Sequence, residues 1–342
     1  MNIKDLSLKL RQGNVTLIRN RKATMKTEDF IKAIKEGKIK LIGHRAGYLM
    51  TPYPENSLES FKHIFENEEL LNATDGFEFD VCFTKDHIPV VIHDKYIDDI
   101  SNARGLINQY TLEELRQFTF GFRKSLNDSN GSFGFRICTL EELLCFFDEN
   151  ISSLKNRIIK IETKDYIFTN KDNFSCENLE ILADIINKFP RLAKNIVHLS
   201  FWPLNFLFFR KIQERKGYTL IKNDLLCDYS ILVLFSRFMP YLDNVSLRVK
   251  TNQLAQVDAN NSNRVNKKIQ ADLFWMRLSN AIKEKNLRYA ISRYGSVGLY
   301  TINTTEEIEE FCKHVSPNFF DEFSQHILVT TDNPILMKSL SI

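Results

Sequence analysis

Two short apolar runs between residues 40 and 94 end in ionisable side chains, and together with the alternating run between them they constrain the fold more than any other feature. The first run leads into His44 and the third leads into His93, while the middle run alternates between apolar and acidic residues. Because successive side chains of a strand point to opposite faces, Glu78 and Asp80 share one face of the middle run. Two carboxylates buried without partners are costly, and a divalent cation bound by oxygen ligands is the simplest compensation.

Only residues 85–87 separate the middle run from the third run. This separation predicts an antiparallel hairpin, because a parallel crossover requires about a dozen residues or more. With a two-residue turn at Asp86 and His87, the pairing register places His93 opposite Asp80. The alternative is an exposed edge hairpin whose acids are solvated; the two histidines that end the outer runs favour a functional site instead.

Strands and helices alternate along the rest of the chain, which predicts a mostly parallel sheet. We expect an α/β fold, a single (β/α)8 TIM-type barrel with a β-hairpin after the second strand, and an active site where the strands end. The predicted strands are residues 40–43, 77–81, 90–92, 157–164, 196–200, 218–222, 245–249, 298–303 and 326–330. The predicted helices include residues 28–35, 179–189, 204–212, 231–238, 273–282 and 306–315, and capping boxes are predicted at Asn56, Thr111 and Thr139.

The composition is that of a globular protein, since 342 residues with 43% hydrophobic residues can bury a sizeable core. Residues 1–27 are basic without clear periodicity and are interpreted as an N-terminal extension, with one barrel domain over residues 28–342. A net charge of +3 does not indicate a nucleic-acid partner. The first 30 residues lack a signal-peptide core, no run reaches the roughly 18 apolar residues of a membrane span, and the six cysteines form no C-x-x-C pair, so we expect a cytoplasmic protein.

Short motifs along the chain resemble, in order, those of the glycerophosphodiester phosphodiesterase family. The resemblance extends from about residue 40 to residue 338, and this many ordered motifs are far more specific than any one of them. The motifs are His44-Arg45-Ala46-Gly47, Pro54-Glu55-Asn56-Ser57, Glu78-Phe79-Asp80, Pro89-Val90-Val91-Ile92-His93-Asp94, Thr139-Leu140-Glu141-Glu142, Ile161-Glu162-Thr163-Lys164, Ser200-Phe201, Tyr300-Thr301-Ile302-Asn303 and Thr331-Asp332-Asn333-Pro334.

Glu78, Asp80 and Glu162 are the predicted metal ligands, because they are oxygen donors at the ends of strands that meet at one mouth. Such donors suit one divalent cation, Ca²⁺ or Mg²⁺, better than a soft metal. The resemblance places the family's metal ligands at the same three positions. An ion pair with Lys164 is the alternative interpretation of Glu162.

His44 and His93 are the predicted general acid and base. Cleavage of a phosphodiester removes a proton from the nucleophile and gives one to the leaving oxygen, and imidazole can do either near neutral pH. The resemblance implies that both are catalytic, and it leaves open which one donates first. Asp94 is predicted to orient His93, and Asp332 to anchor the last strand end.

Arg45 and Lys164 are the predicted phosphate-binding residues, since arginine offers a planar fork and lysine a point charge to phosphate oxygens. Glu55 is predicted to fix Arg45 or a metal-bound water; the alternative is an acid favoured by a helix N-terminus. Phe201 and Tyr300 are predicted to wall the glycerol end of the pocket, with core packing as the alternative for both.

Three departures from the family's motifs affect the expected substrate preference rather than the reacting groups. Ala46 replaces the more usual glycine after His-Arg, and residues 97–101 lack the arginine–threonine pair that commonly follows His-Asp. Cys138 replaces a proline before Thr-Leu-Glu-Glu. A polar, glycine-containing loop at residues 125–134 is expected over the site.

The hypothesis is therefore metal-dependent hydrolysis of small glycerophosphodiesters to glycerol 3-phosphate and an alcohol. One alternative is a lysophospholipase D, favoured if the apolar segments 201–212 and 231–242 line the pocket mouth, where they would also make weak contact with a membrane surface. The other is a non-catalytic protein that binds glycerophosphodiesters. The more usual meaning of such apolar segments is a helix packed against the sheet. The sequence does not indicate an oligomeric state.

Overall fold

The structure of the protein is a computed structural model that describes residues 24–123, 134–165, 173–227, 272–278 and 283–341. The strands are β1 (Lys40–Gly43), β2 (Gly76–Phe83), β3 (Pro89–Val91), β4 (Ile158–Thr163), β5 (Ile196–Ser200), β6 (Lys222–Cys227), β7 (Leu273–Arg277), β8 (Val297–Tyr300) and β9 (Ile327–Thr331). The helices are α1 (Thr27–Lys35), α2 (Leu58–Glu66), α3 (Glu68–Asn72), α4 (Leu112–Leu115), α5 (Leu140–Glu149), α6 (Ile151–Leu154), α7 (Asn173–Asn187), α8 (Pro203–Lys216), α9 (Glu284–Tyr294), α10 (Thr305–Cys312), α11 (Pro317–Phe323) and α12 (Pro334–Ser339).

Eight parallel strands close into a barrel. Each parallel strand pairs with the next parallel strand along the chain, and β9 pairs with β1 to complete the ring. The remaining strand, β3, pairs antiparallel with the carboxyl end of β2. The predicted α/β barrel and its hairpin are confirmed.

The predicted register of the hairpin is wrong by one residue. The backbone N–H of Ile92 donates to the carbonyl of Asp80 over 2.9 Å, so Asp80 lies opposite Ile92 rather than His93. The turn has three residues instead of two, because the N–H of Thr84 donates to the carbonyl of Ile88 over 3.0 Å. The last turn residue adopts the left-handed conformation, with φ of 61°.

Two strands on the far side of the barrel were misplaced by the sequence patterns. The strand predicted at 218–222 lies instead at Lys222–Cys227. The polar residue Asp224 is buried in this strand, so the sequence there lacks the apolar run that indicates a core strand. The helix predicted at 273–282 is wrong at its start, because Leu273–Arg277 is β7. A short apolar run buried on both faces has no alternation that would separate a strand from a helix.

Several predicted features cannot be compared with the fold. They lie outside the described residues. They are residues 1–23 of the N-terminal extension, the polar loop 125–134 except its last residue, the helix at 231–238, the apolar segment 231–242, the strand at 245–249 and an Asn- and Gln-rich loop predicted at 251–268.

Helix α8 shows the role of the apolar segment that begins at Phe201. Phe206 and Phe209 are fully buried, and Trp202 is also buried at the start of the helix. These side chains therefore pack into the protein, as in the packing alternative. Within the described part of the chain, no helix has the length and apolar character needed to cross a bilayer.

The barrel interior contains a buried charged and aromatic cluster. The Lys160 ammonium contacts the Asp224 carboxylate and lies 3.9 Å from the centroid of the Trp275 ring. The indole Nε1–H of Trp275 donates to Asp224 over 2.9 Å. Gly298 on β8 lies beside Trp275, and a Cβ atom at this glycine would overlap the indole ring. The glycine therefore makes room for the largest side chain of the interior.

Gly298→Ala should lower the free energy of unfolding by about 1–3 kcal/mol, because the added methyl group overpacks a ring that its hydrogen bond to Asp224 holds in place. Urea unfolding measures the loss. Gly134→Ala is the matched control, since its added Cβ meets no atom within 4 Å. Equal stability of Gly298→Ala and the wild-type protein would contradict the packing account.

Candidate active site

Three carboxylates converge at one mouth of the barrel. Glu78 and Asp80 project from β2, and Glu162 projects from β4, where it is the register partner of Asp80. One oxygen from each acid lies within 4.8 Å of the others, and all three side chains are buried. The structure thus brings together the three acids that the sequence singled out.

The negative charge of this group is only partly balanced. Lys164 contacts Glu162 and lies 2.8 Å from Asp80 Oδ1, and Arg45 Nε lies 3.7 Å from Asp80 Oδ2. Burial raises the pKa of Asp80, but the charges of Lys164 and neighbouring cations outweigh burial and lower it strongly. Burial and the charge of Asp80 raise the pKa of Glu78 to about 8. Burial also raises the pKa of Glu162.

The donor set fits a hard divalent cation. All donors are carboxylate oxygens, the kind that Ca²⁺ and Mg²⁺ prefer. The buried atom Glu78 Oε1 has no hydrogen-bond partner among the described residues, while Oε2 of the same residue accepts the backbone N–H of Arg45 over 3.0 Å. An unpaired buried carboxylate oxygen is costly, and a bound cation would remove that cost.

His44 follows β1 and is held by an acid from the other end of the chain. Its Nδ1 lies 2.5 Å from Asp332 Oδ1, and Asn303 donates to the other oxygen of Asp332 over 2.7 Å. This arrangement presents Nε2 to the site, 3.9 Å from Glu78 Oε2. Burial opposes protonation of His44, but the hydrogen bond to Asp332 and the charge of Glu78 outweigh it and raise the pKa. The sequence indicated Asp332 as a strand anchor and missed this contact.

His93 reaches the same mouth although the predicted register was wrong. Strand β3 ends at Val91, and His93 lies on a bend beyond it, so the strand's alternation of faces no longer applies. The imidazole is close enough to Asp80 to help lower the pKa of that acid. His93 Nδ1 lies 2.5 Å from Asp94 Oδ1, so the two neighbours are in contact.

Arg45 lies in a tight left-handed turn after β1. Its Nη1 donates to both oxygens of Glu55 over 2.9 Å, so Glu55 contacts Arg45, one of the two partners predicted for it. The φ values of Arg45 and Ala46 are 49° and 77°, a region in which only glycine is free of strain. The departure at Ala46 therefore falls where the backbone itself favours the family's usual glycine.

Asn56 is a site residue that the sequence interpretation missed. Its Nδ2 donates to Asp80 Oδ2 over 3.0 Å, and its Oδ1 accepts the backbone N–H of Asp80 over 3.2 Å. The predicted cap at Asn56 is wrong: Ser57 caps α2, whereas the capping boxes at Thr111 and Thr139 are confirmed. A φ of 55° at Asn56 turns its side chain away from the helix and toward the acids.

Arg123 is a second residue that was missed, because no motif surrounds it. Its guanidinium contacts Glu55 on one side and Asp94 on the other, at 2.7 Å and 2.5 Å.

The predicted aromatic pair also meets at the barrel mouth. Phe201 and Tyr300 are both partly buried, with ring centroids 6.1 Å apart and ring planes at 81°.

The sequence matches a known protein family over most of its length. The family model for the glycerophosphoryl diester phosphodiesterase family matches residues 44–314. The chain belongs to the glycerophosphoryl diester phosphodiesterase family.

Curated members of the family match only part of their length. A glycerophosphodiester phosphodiesterase of Bacillus altitudinis is 33% identical over 134 residues, 38% of this chain and 46% of its own. Glycerophosphodiester phosphodiesterase 1 of Homo sapiens is 28% identical over 167 residues, 48% of this chain and 44% of its own. The match therefore spans under half the length of these relatives.

Solved structures of family members share the fold over a longer stretch. A phosphodiesterase of Oleispira antarctica, in complex with the product sn-glycerol-3-phosphate, has a TM-score of 0.58 at 17% identity, covering 88% of this chain and 95% of its own. A glycerophosphodiester phosphodiesterase of Thermotoga maritima has a TM-score of 0.51 at 20% identity, covering 89% and 98%. At these identities the likeness supports the barrel fold.

With divalent cations chelated, we expect the free energy of unfolding to fall as the pH rises from about 4.5 to about 8. Glu78 has a pKa of about 8 in the folded protein and an ordinary value of 4.5 when unfolded. Between these values the folded state holds more protons, so raising the pH destabilises it. Glu78→Gln should reduce this slope and exceed the wild-type protein in stability at the upper end. Urea unfolding in EDTA across the range measures both.

The control for this prediction is Glu113→Gln, because Glu113 is an exposed acid on α4 and is not one of the three grouped carboxylates. This variant should keep the wild-type slope. A slope that is identical in Glu78→Gln and in the wild-type protein would contradict the assignment of the buried proton to Glu78.

Proposed function

We propose that this protein hydrolyses small glycerophosphodiesters to glycerol 3-phosphate and an alcohol. The observation that carries the proposal is the convergence of two histidines and three buried carboxylates at one mouth of the barrel, beside the arginine and lysine that a phosphate requires. Family membership supports the reaction class. The product complex of the Oleispira antarctica relative supports a glycerol phosphate product for that protein, and by likeness we extend it to this chain.

In this proposal, Glu78, Asp80 and Glu162 hold one divalent cation, Ca²⁺ or Mg²⁺. When bound, the cation withdraws negative charge from the phosphoryl oxygens. The residues themselves supply the rest of the electrostatics. Asn56 fixes Asp80 through both its backbone and its carboxylate, so the acid keeps one orientation whether or not substrate is present.

Arg45 and Lys164 bind the phosphate in this scheme. Burial opposes protonation of Lys164, but the charges of Asp80 and Glu162 outweigh it and raise the pKa, so the ammonium stays charged at all physiological pH values. Two hydrogen bonds to Glu55 hold the Arg45 guanidinium in one orientation. Both cations are already oriented before substrate arrives, which avoids the cost of reorganisation during the reaction.

His44 and His93 exchange the two protons of the reaction. Each imidazole has its Nδ1 held by a carboxylate, Asp332 for His44 and Asp94 for His93. A carboxylate at Nδ1 fixes the tautomer and stabilises the protonated ring, so Nε2 is the atom that takes or gives the proton. One histidine removes the proton of the nucleophile and the other protonates the leaving alcohol. Phe201 and Tyr300 then line the glycerol side of the pocket.

His44→Ala and His93→Ala should each lower kcat for glycerophosphocholine by roughly 10²- to 10⁴-fold, the usual contribution of a general acid or base. EDTA should abolish turnover, and Ca²⁺ or Mg²⁺ should restore it. Release of choline and glycerol 3-phosphate, followed by a coupled enzymatic assay, measures the rates. His314→Ala is the matched control, because His314 pairs with Glu310 on the surface.

The same assay separates the alternatives when lysophosphatidylcholine is included as a second substrate. Turnover that survives chelation, or that survives either histidine substitution, would contradict the mechanism. Choline release from the lysophospholipid alone would establish a lysophospholipase D. Binding of glycerophosphocholine without turnover would indicate a non-catalytic binding protein.

A further inference from the structure

Arg123 lies between two acids that belong to different parts of the site. Its Nη2 donates to Glu55 Oε1 over 2.7 Å, and its Nη1 donates to Asp94 Oδ2 over 2.5 Å. The side chain is only 19% exposed. Burial opposes ionisation of Arg123, but the hydrogen bonds to both acids outweigh it and raise the pKa further, so the guanidinium is permanently charged.

Each of the two acids has a second partner that faces the reaction. Glu55 also accepts both hydrogen bonds from Arg45, and Asp94 contacts the ring of His93 with its other oxygen. A continuous chain of charged hydrogen bonds therefore runs from Arg45 to His93, and Arg123 is its middle member.

We propose that Arg123 is a positioning residue for phosphodiester cleavage, which fixes His93 through Asp94 and Arg45 through Glu55. This inference rests on the proposed function of the site. Arg123 touches neither imidazole nor the other guanidinium in the described contacts, so it acts through the two acids.

The geometry at Asp94 explains why the contact between Asp94 and His93 needs the support of Arg123. Neighbouring residues of an extended chain point to opposite faces, so the contact between Asp94 and His93 exists only because the chain bends after β3. Asp94 is 25% exposed, and water competes for its second oxygen. Arg123 holds that oxygen and prevents the carboxylate from rotating away from His93.

The charges also require an arginine at this point. Glu55 and Asp94 contribute two negative charges, and Arg45 and Arg123 contribute two positive charges. Loss of Arg123 would leave excess negative charge next to the place where an anionic phosphate binds. A planar guanidinium can donate to two carboxylates in different directions, whereas an ammonium is a point charge without that fork.

A small apolar unit outside the barrel sets the position of Arg123. The N–H of Gly121 donates to the carbonyl of Ile100 over 2.9 Å, and Phe120 pairs with Phe135 through backbone hydrogen bonds. Phe120 and Ile100 belong to one buried cluster with residues that follow β3. Arg123 therefore lies two residues beyond a backbone contact that ties this apolar unit together.

Kinetics of Arg123→Ala test the proposal first. We expect kcat for glycerophosphocholine to fall roughly 10- to 100-fold, because His93 loses its fixed orientation, and KM to rise by a smaller factor, because the negative charge beside the phosphate-binding Arg45 is no longer balanced. Arg123→Lys should recover part of the loss, because one ammonium can contact one of the two acids. Arg191→Ala is the matched control, since Arg191 makes a similar two-point contact with Asp148 on the surface. It should keep the wild-type kcat.

A spectroscopic measurement tests the same contact without any turnover. In a long-range ¹H–¹⁵N correlation spectrum, His93 Nδ1–H donating to Asp94 should give a downfield proton resonance, assigned by its loss in His93→Gln. We expect Arg123→Ala to lose or shift this resonance and Arg191→Ala to retain it. A merely structural role for Arg123 would leave it in place as long as the protein is folded.

The outcomes are distinct from those of the proposed function. A wild-type protein that does not cleave glycerophosphodiesters refutes that function, and the imidazole resonance still decides whether Arg123 orders His93. Wild-type kcat in Arg123→Ala, or an unchanged His93 resonance in that variant, overturns the inference. If circular dichroism shows that Arg123→Ala does not fold, Arg123→Met, which keeps much of the apolar stem and has no hydrogen-bond donor, takes its place with the same expected results.

Discussion

Buried negative charge at the mouth of the barrel is the constraint on which the other features of the site depend. Glu78, Asp80 and Glu162 lie together because β2 and β4 run parallel in a register that aligns Asp80 with Glu162. These side chains are buried in the mouth, so cationic side chains must offset their charge. Lys164 supplies part of it from the same strand as Glu162, and Arg45 supplies part from the end of β1.

Three further acids lie around Glu78, Asp80 and Glu162. They contact the basic side chains of the site rather than the three central carboxylates. Glu55 holds Arg45, while Asp332 and Asp94 hold the two imidazoles. These acids come from loops that follow three different strands. In such a site, charge-assisted hydrogen bonds between loops add to the rigidity that apolar packing supplies.

The sequence predicted the parts of the site that strand geometry determines. Alternation places Glu78 and Asp80 on one face, and the closing strands carry His44 and Glu162 to the same mouth. Contacts between distant segments were not predictable in this way: Asn56 meets Asp80 across 24 residues, and Arg123 meets Glu55 across 68. The fold was misjudged where polar side chains enter the interior, as at Asp224, or where adjacent residues of a strand are both buried, as at Trp275 and Met276.

The join between the first and second strands is short, with only Ile42–Gly76 and Gly43–Phe77 as paired residues. Beyond these pairs the carboxylate of Glu78 accepts the N–H of Arg45, in the position where a ladder would use a main-chain carbonyl. The Glu78 side chain therefore extends the connection between β1 and β2 beyond their backbone pairs. At this point a single side chain, that of Glu78, belongs to the acidic group at the mouth and also connects two neighbouring strands of the barrel wall.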